Sequence, residues 1–160
     1  MPGGGVMKRS AVFALVLLCA FLPSLANSDA QFETLVQARS FECVYLSATF
    51  GYWSEGSTFA GISEKGPESE PVAEMTFKSI DLQKGEAIIQ TPWEEREVEV
   101  VNGIRGLTFI DYGSLGMMRM VTVFPYLCPE RQAFCSVLSE HTSRSGSASP
   151  TQAFGFCRAR

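Results

Sequence analysis

His141 is the sole histidine among 160 residues. A hydrolase of the Ser-His-acid kind needs an imidazole to accept the nucleophile's proton. Any such site in this chain has to be built on Ser139-Glu140-His141-Thr142-Ser143. Serines are plentiful, but the Gly-x-Ser-x-Gly elbow is missing, and Gly113-Ser114-Leu115-Gly116 has the wrong spacing. A surface histidine at a strand end is the simpler reading, and the chain is expected not to be an enzyme. One histidine also excludes a multi-histidine metal site.

Two further clusters invite chemistry. Glu94-Glu95-Arg96-Glu97-Val98-Glu99 places Glu95, Glu97 and Glu99 in a row on one strand face. Calcium needs six or more oxygens from several directions, which a flat row does not supply, so this reads as a solvated outer face. No pair of carboxylates is singled out for acid and base work. Met117-Met118-Arg119-Met120 carries thioethers, which suit Cu(I). Alternation along a strand puts Met118 and Met120 on one face and Met117 on the other, and core packing is the favoured role. No metal and no cofactor is expected.

The cysteines point to a compartment. Lys8 and Arg9 precede an apolar run from Ser10 to Leu22, Pro23 breaks it, and Ser24-Leu25-Ala26 ends in small residues. That is the form of a secretory signal peptide over residues 1–26, with cleavage expected after Ala26 and Ser28-Asp29-Ala30 as a second site. The run is shorter than the roughly 20 residues of a spanning helix, so no stable membrane insertion is expected after cleavage. Leu18 before Cys19 argues against lipidation. Removing the leader leaves Cys43, Cys128, Cys135 and Cys157, an even number that reads as two disulfides. Three pairings are open. Cys128–Cys135, closing a short loop, and Cys43–Cys157, tying the first strand to the last, are preferred. Chain entropy values them at about 2.5 and about 5 kcal/mol. Zinc-finger spacing and Cys-x-x-Cys redox spacing are both absent. The expected location is periplasmic or extracellular.

These residues need a scaffold, and the pattern from residue 27 to 160 is that of one antiparallel β domain. A short helix comes first, with Phe32, Leu35, Val36 and Arg39 at helical spacing behind Ser28 or Asp29. Phe41–Phe50 is aromatic and β-branched and reads as a strand. Ser54–Pro71, dense in Gly, Ser, Glu and Pro, reads as a loop. Val72–Ile80 and Glu86–Gln90 flank a turn with Gly85 left-handed. Asn102-Gly103 predicts a two-residue turn that pairs Val98 with Leu107 and places Val98, Val100, Leu107 and Phe109 on the core face. A one-residue slip would bury three carboxylates. Further strands are predicted at Met117–Phe124, ended by Pro125, at Phe134–Ser139, and at Thr151–Arg158 with Gly155 at a bulge. Thr142–Pro150 reads as a loop. The fold class is all-β, an antiparallel barrel or sandwich of about seven strands with a short N-terminal helix.

Composition bounds the partners. Eleven Lys and Arg against 17 Asp and Glu follow residue 26, a charge of −6 (11 − 17), which argues against nucleic acid. Gly51-Tyr52-Trp53 resembles the Gly-x-Trp signature of lipocalin-type (calycin) barrels, and Asp111-Tyr112 is similar to part of their second motif. The resemblance implies a Trp packed across the closed barrel end under a basic residue, here Arg131 or Arg158. Phe134, Ser139, His141, Gln152, Gly155 and Cys157 resemble the tail of small exported bacterial proteins of unknown function. The favoured role is a small β-barrel module binding an apolar or amphipathic ligand. The alternative is a protein-interaction or inhibitor module acting through a loop or a sheet edge.

Overall fold

A computed structural model describes residues 29–54, 57–64, 70–113, 116–129, 131–144 and 147–160. The signal segment and its cleavage point lie outside the described residues. Helix α1 spans 29–37 and leads into nine antiparallel strands: β1 (Phe41–Ser54), β2 (Ser57–Glu64), β3 (Ala73–Asp81), β4 (Glu86–Gln90), β5 (Glu95–Gly103), β6 (Gly106–Tyr112), β7 (Met118–Leu127), β8 (Phe134–Arg144) and β9 (Ser147–Ala159). Strands β3 to β9 follow one another in order, and β9 closes on β1 to make an eight-stranded barrel. Strand β2 is the extra one.

Strand β1 is the seam. One edge pairs with β9 from Phe41↔Ala159 to Trp53↔Ala148. The other edge is divided: Phe41–Tyr45 pair with β3, and Ser47–Ser54 pair with β2. The hairpins β1–β2 and β8–β9 therefore run on beyond the barrel as a projecting sheet. Apolar side chains at alternate positions fill the barrel. Phe77 and Phe109 stack at 3.9 Å between centroids, and Phe41 meets Phe109 and Phe134 edge-on at 6.1 and 6.3 Å. Helix α1 covers one end with fully buried Leu35. The segment after it is tied to β3 by Ile80 N–H donating to the Arg39 carbonyl and Arg39 Nη1 donating to the Ile80 carbonyl.

Both disulfides form as expected. Cys43–Cys157 lies in the core and Cys128–Cys135 on the outer wall. Glu95, Glu97 and Glu99 are exposed, and Gly85 has φ 74°.

The structure corrects several expectations. Ser54–Pro71 is not one loop, because β2 occupies Ser57–Glu64; pairing with β1 overrides a composition poor in strand formers. Thr142–Pro150 is likewise mostly strand, with β8 and β9 paired out to Arg144↔Ser147. The β5–β6 turn is at Ile104-Arg105, with Gly103↔Gly106 and Val100↔Phe109 paired. Gly106, at φ 137°, lies so close to the Val123 carbonyl that no Cβ fits, which commits it to β6 and moves the turn two residues. The even shift keeps the predicted core face intact. Pro125 falls inside β7, where pairing with β8 lapses between Val123 and Leu127, so its missing N–H costs no ladder bond. The bulge is at Leu46 on β1 rather than at Gly155. Gly155 is the residue that lets β1 approach, since a Cβ there would strike the Val44 carbonyl. Met118 and Met120 face outward and are half-buried, because Arg119, Val121 and Val123 take the inward parity of β7.

Candidate functional site at the barrel mouth

At the end away from α1, four neighbouring strands change their inward residue from apolar to charged at one level. Along β5 it goes from Val98 to Arg96, along β6 from Phe109 to Asp111, along β7 from Val121 to Arg119, and along β8 from Leu138 to Glu140. Asp111↔Arg119 and Arg119↔Glu140 are direct cross-strand pairs. The Asp111 side chain is 3% exposed. Its Oδ2 accepts from Arg96 Nη2 at 2.8 Å and from Arg119 Nη1 at 3.4 Å. Arg119 Nε donates to Glu140 Oε2 at 2.9 Å, and Arg96 Nη1 donates to Glu94 Oε2 at 2.9 Å. Each charge is thus matched, as burial requires. Two buried atoms are without partners among the described residues: Asp111 Oδ1 and Arg96 Nε.

Below this level, the Tyr45 hydroxyl shares a 3.0 Å hydrogen bond with Ser136 Oγ inside the barrel. Burial pushes the phenol well above its usual pKa, against the smaller opposing effects of Ser136 and the Arg119 charge.

A cavity of about 650 Å³ opens beside the ion network. Met75 and Leu138 provide an apolar floor, Pro71, Val72 and Ala73 one wall, and Pro92 and Trp93 the lip of the β4–β5 turn. Trp93 is 91% exposed. Arg119 and Glu140 border the cavity from the barrel side, and Glu70, Glu74 and Glu94 stand at its rim. The carboxylates outnumber the guanidinium four to one, so the lining carries a net negative charge.

His141 is exposed and faces outward from β8. Among the described residues no hydrogen bond joins it to a serine or a carboxylate. Together with Gly51, Ala60 and Pro150 it borders a second, shallower groove on the outer wall. The basic residues expected over Trp53 are elsewhere. Arg131 and Arg158 stand 5.3 and 5.6 Å from the ring centroid of Phe156. Arg158 pairs with Glu42, whereas Trp53 pairs with Ala148. Those points are eleven residues apart on β1, roughly 36 Å at 3.3 Å per residue. The Trp53 side chain lies outside the described residues.

No family model, curated protein or solved structure matches this chain. The sequence reading does not single out the mouth network, because Arg96 sits inside a run of glutamates whose outward members dominate the local pattern. The available signal was parity: Arg96 is two residues before Val98, and Asp111 two after Phe109, on the same inward side.

Proposed function

We propose that the protein is an exported binding module, periplasmic or extracellular after removal of residues 1–26, that takes a small amphipathic cation at the barrel mouth. The observation that carries this reading is the cavity of about 650 Å³ whose apolar floor ends on a buried ion network and whose rim is acidic. Binding cavities of a few hundred to a thousand Å³ combine apolar walls with a few placed polar groups. Met75, Leu138 and Trp93 supply apolar contact. Glu140 has one oxygen not used by Arg119 and faces the ligand's charged end. Trp93 adds an aromatic face for a cation. The two disulfides fit an oxidising compartment. The closed eight-stranded order supports the resemblance to lipocalin-type barrels. Stacked Phe77 and Phe109 occupy the centre, so the ligand belongs at the mouth rather than in the interior.

The test uses a matched pair, 4-phenylbutylammonium and 4-phenylbutyrate, titrated calorimetrically and by Trp93 emission, with Trp93→Phe supplying the background. Saturable binding of the ammonium compound, weakened at least fivefold by Glu140→Gln, is the expected result. Absence of saturable ammonium binding, or tighter binding of the carboxylate, overturns the reading.

One observation favours a second reading. Strand β2 ends the sheet and pairs only with β1 among the described residues, leaving an open edge on an otherwise closed barrel. Such an edge can accept a strand from a partner protein. A partner bound there would protect β2 amides from hydrogen exchange while leaving the ammonium probe's affinity unchanged.

A further inference from the structure

On the outer wall, level with the mouth but on the opposite face of β7 and β8, the register brings three soft donors together. Met118 of β7 is the direct cross-strand partner of His141 of β8, and Met120 is two residues further along β7 on the same face. Directly opposed residues have Cβ atoms about 5 Å apart, and residues i and i+2 on a strand are separated by roughly 6.6 Å. Methionine has three rotatable side-chain bonds and a polarizable sulfur at the end, so both thioethers can turn toward the imidazole across these spacings.

The surroundings select for a soft ion. The neighbours of the trio on this face are Ile110 and Tyr112 from β6, Ser139 on β8, and Pro150 and Gln152 from β9. None carries a charge. Hard cations want carboxylates and waters, and zinc wants thiolates, imidazoles or carboxylates. Among the described residues no group of three His, Cys, Asp or Glu could hold a metal ion. Two thioethers and one neutral imidazole suit Cu(I). Cys43, Cys128, Cys135 and Cys157 are all consumed by disulfides. Among the described residues, thioether sulfur is therefore the soft donor left for a metal.

We infer that Met118, Met120 and His141 form a three-coordinate Cu(I) site on the outer face of β7–β8. His141 is exposed and gives the ion its point of entry, while half-buried Met118 and Met120 receive it from the wall. The site is independent of the mouth cavity, which opens on the opposite face of the same strands.

The experiment is an anaerobic competition titration of Cu(I) against a chromophoric Cu(I) chelator, using the disulfide-intact protein and a reductant that spares disulfides. The expected result is one equivalent bound. Met118→Leu/Met120→Leu and His141→Gln are each expected to weaken it at least tenfold while leaving far-UV circular dichroism unchanged. Ag(I), a redox-inert surrogate, is expected to shift the His141 imidazole and the Met118 and Met120 methyl NMR signals. If the chelator holds Cu(I) as fully as it does in the absence of protein, or if the double methionine variant binds copper as the parent does, the site is overturned. A fold change in a variant is detected by the dichroism control, and the Ag(I) shifts on the parent protein then decide the question without it.

Discussion

Tyr45 and Asp111 show how single residues set the chemistry of this barrel. Tyr45 is fully buried, so its neutral form is strongly favoured in the folded state. Its folded pKa lies above the unfolded value of about 10. The stabilisation is therefore fully present below pH 10 and is lost as pH rises through the folded pKa. Urea midpoints are expected to hold to about pH 9 and to fall above pH 10. Tyr45→Phe is expected to cost about 1 kcal/mol at neutral pH through the lost Ser136 bond, and to flatten the alkaline limb. A Tyr45→Phe profile that falls as steeply as the parent's would mean that another group drives alkaline unfolding. Asp111 acts differently, because it holds two guanidiniums together. Asp111→Asn keeps the shape and removes the charge, leaving Arg96 and Arg119 near one another with less compensation. Breaking a buried ionic network in this way costs about 3 kcal/mol or more. A denaturant titration with an unchanged slope and a lowered midpoint is the expected signature.

At the scale of elements, side-chain parity was legible and strand limits were not. Val98, Val100, Leu107 and Phe109 could be placed on the core face because period-two alternation survives any even shift of register. The turn itself moved, because a steric demand at Gly106, set by β7, outweighed the local preference of Asn102-Gly103. Strand β2 was hidden for a similar reason. Ser57 to Glu64 has little strand propensity of its own, and only the length of β1 gives it a partner. The mouth network was half-legible. Its members follow from alternation, but that four strands turn charged at one level depends on stagger between strands, which no local pattern encodes. Gly155 is the sharpest test of close approach between elements. It lies beside the Leu46 bulge, and a Cβ would strike the Val44 carbonyl and crowd Tyr45. Gly155→Ala is expected to cost more than about 3 kcal/mol, at the upper end for overpacking. Ser47→Ala, two residues beyond Tyr45 on β1, should change stability by less than about 0.5 kcal/mol. Thermal melts of the two variants decide whether the bulge demands a glycine opposite it.

The whole molecule closes by joining its two ends, and that fixes what the disulfides do. Pairing of β1 with β9 joins the segments furthest apart in sequence, with Cys43 and Cys157 separated by 114, and these are among the costliest contacts in the barrel in chain entropy. Cys43–Cys157 sits on that seam, so it removes the entropy cost from the unfolded chain before folding begins. Cys128–Cys135 spans seven residues and only pins the β7–β8 connection. The chain-entropy model then separates the two bonds. The Cys43→Ala/Cys157→Ala pair is expected to lose about 5 kcal/mol, and Cys128→Ala/Cys135→Ala about 2.5 kcal/mol. Kinetics should separate them further. Folding of a barrel is slow because distant strands have to meet first. A chain already cross-linked between β1 and β9 starts with its longest loop closed. Refolding of the oxidised parent is therefore expected to be faster than that of the Cys43→Ala/Cys157→Ala variant, while Cys128→Ala/Cys135→Ala refolds near the parental rate. Stopped-flow refolding from urea measures all three. Equal slowing by both pairs would mean that the seam forms after the rate-limiting step, with β7–β8 nucleating as early as the closure does.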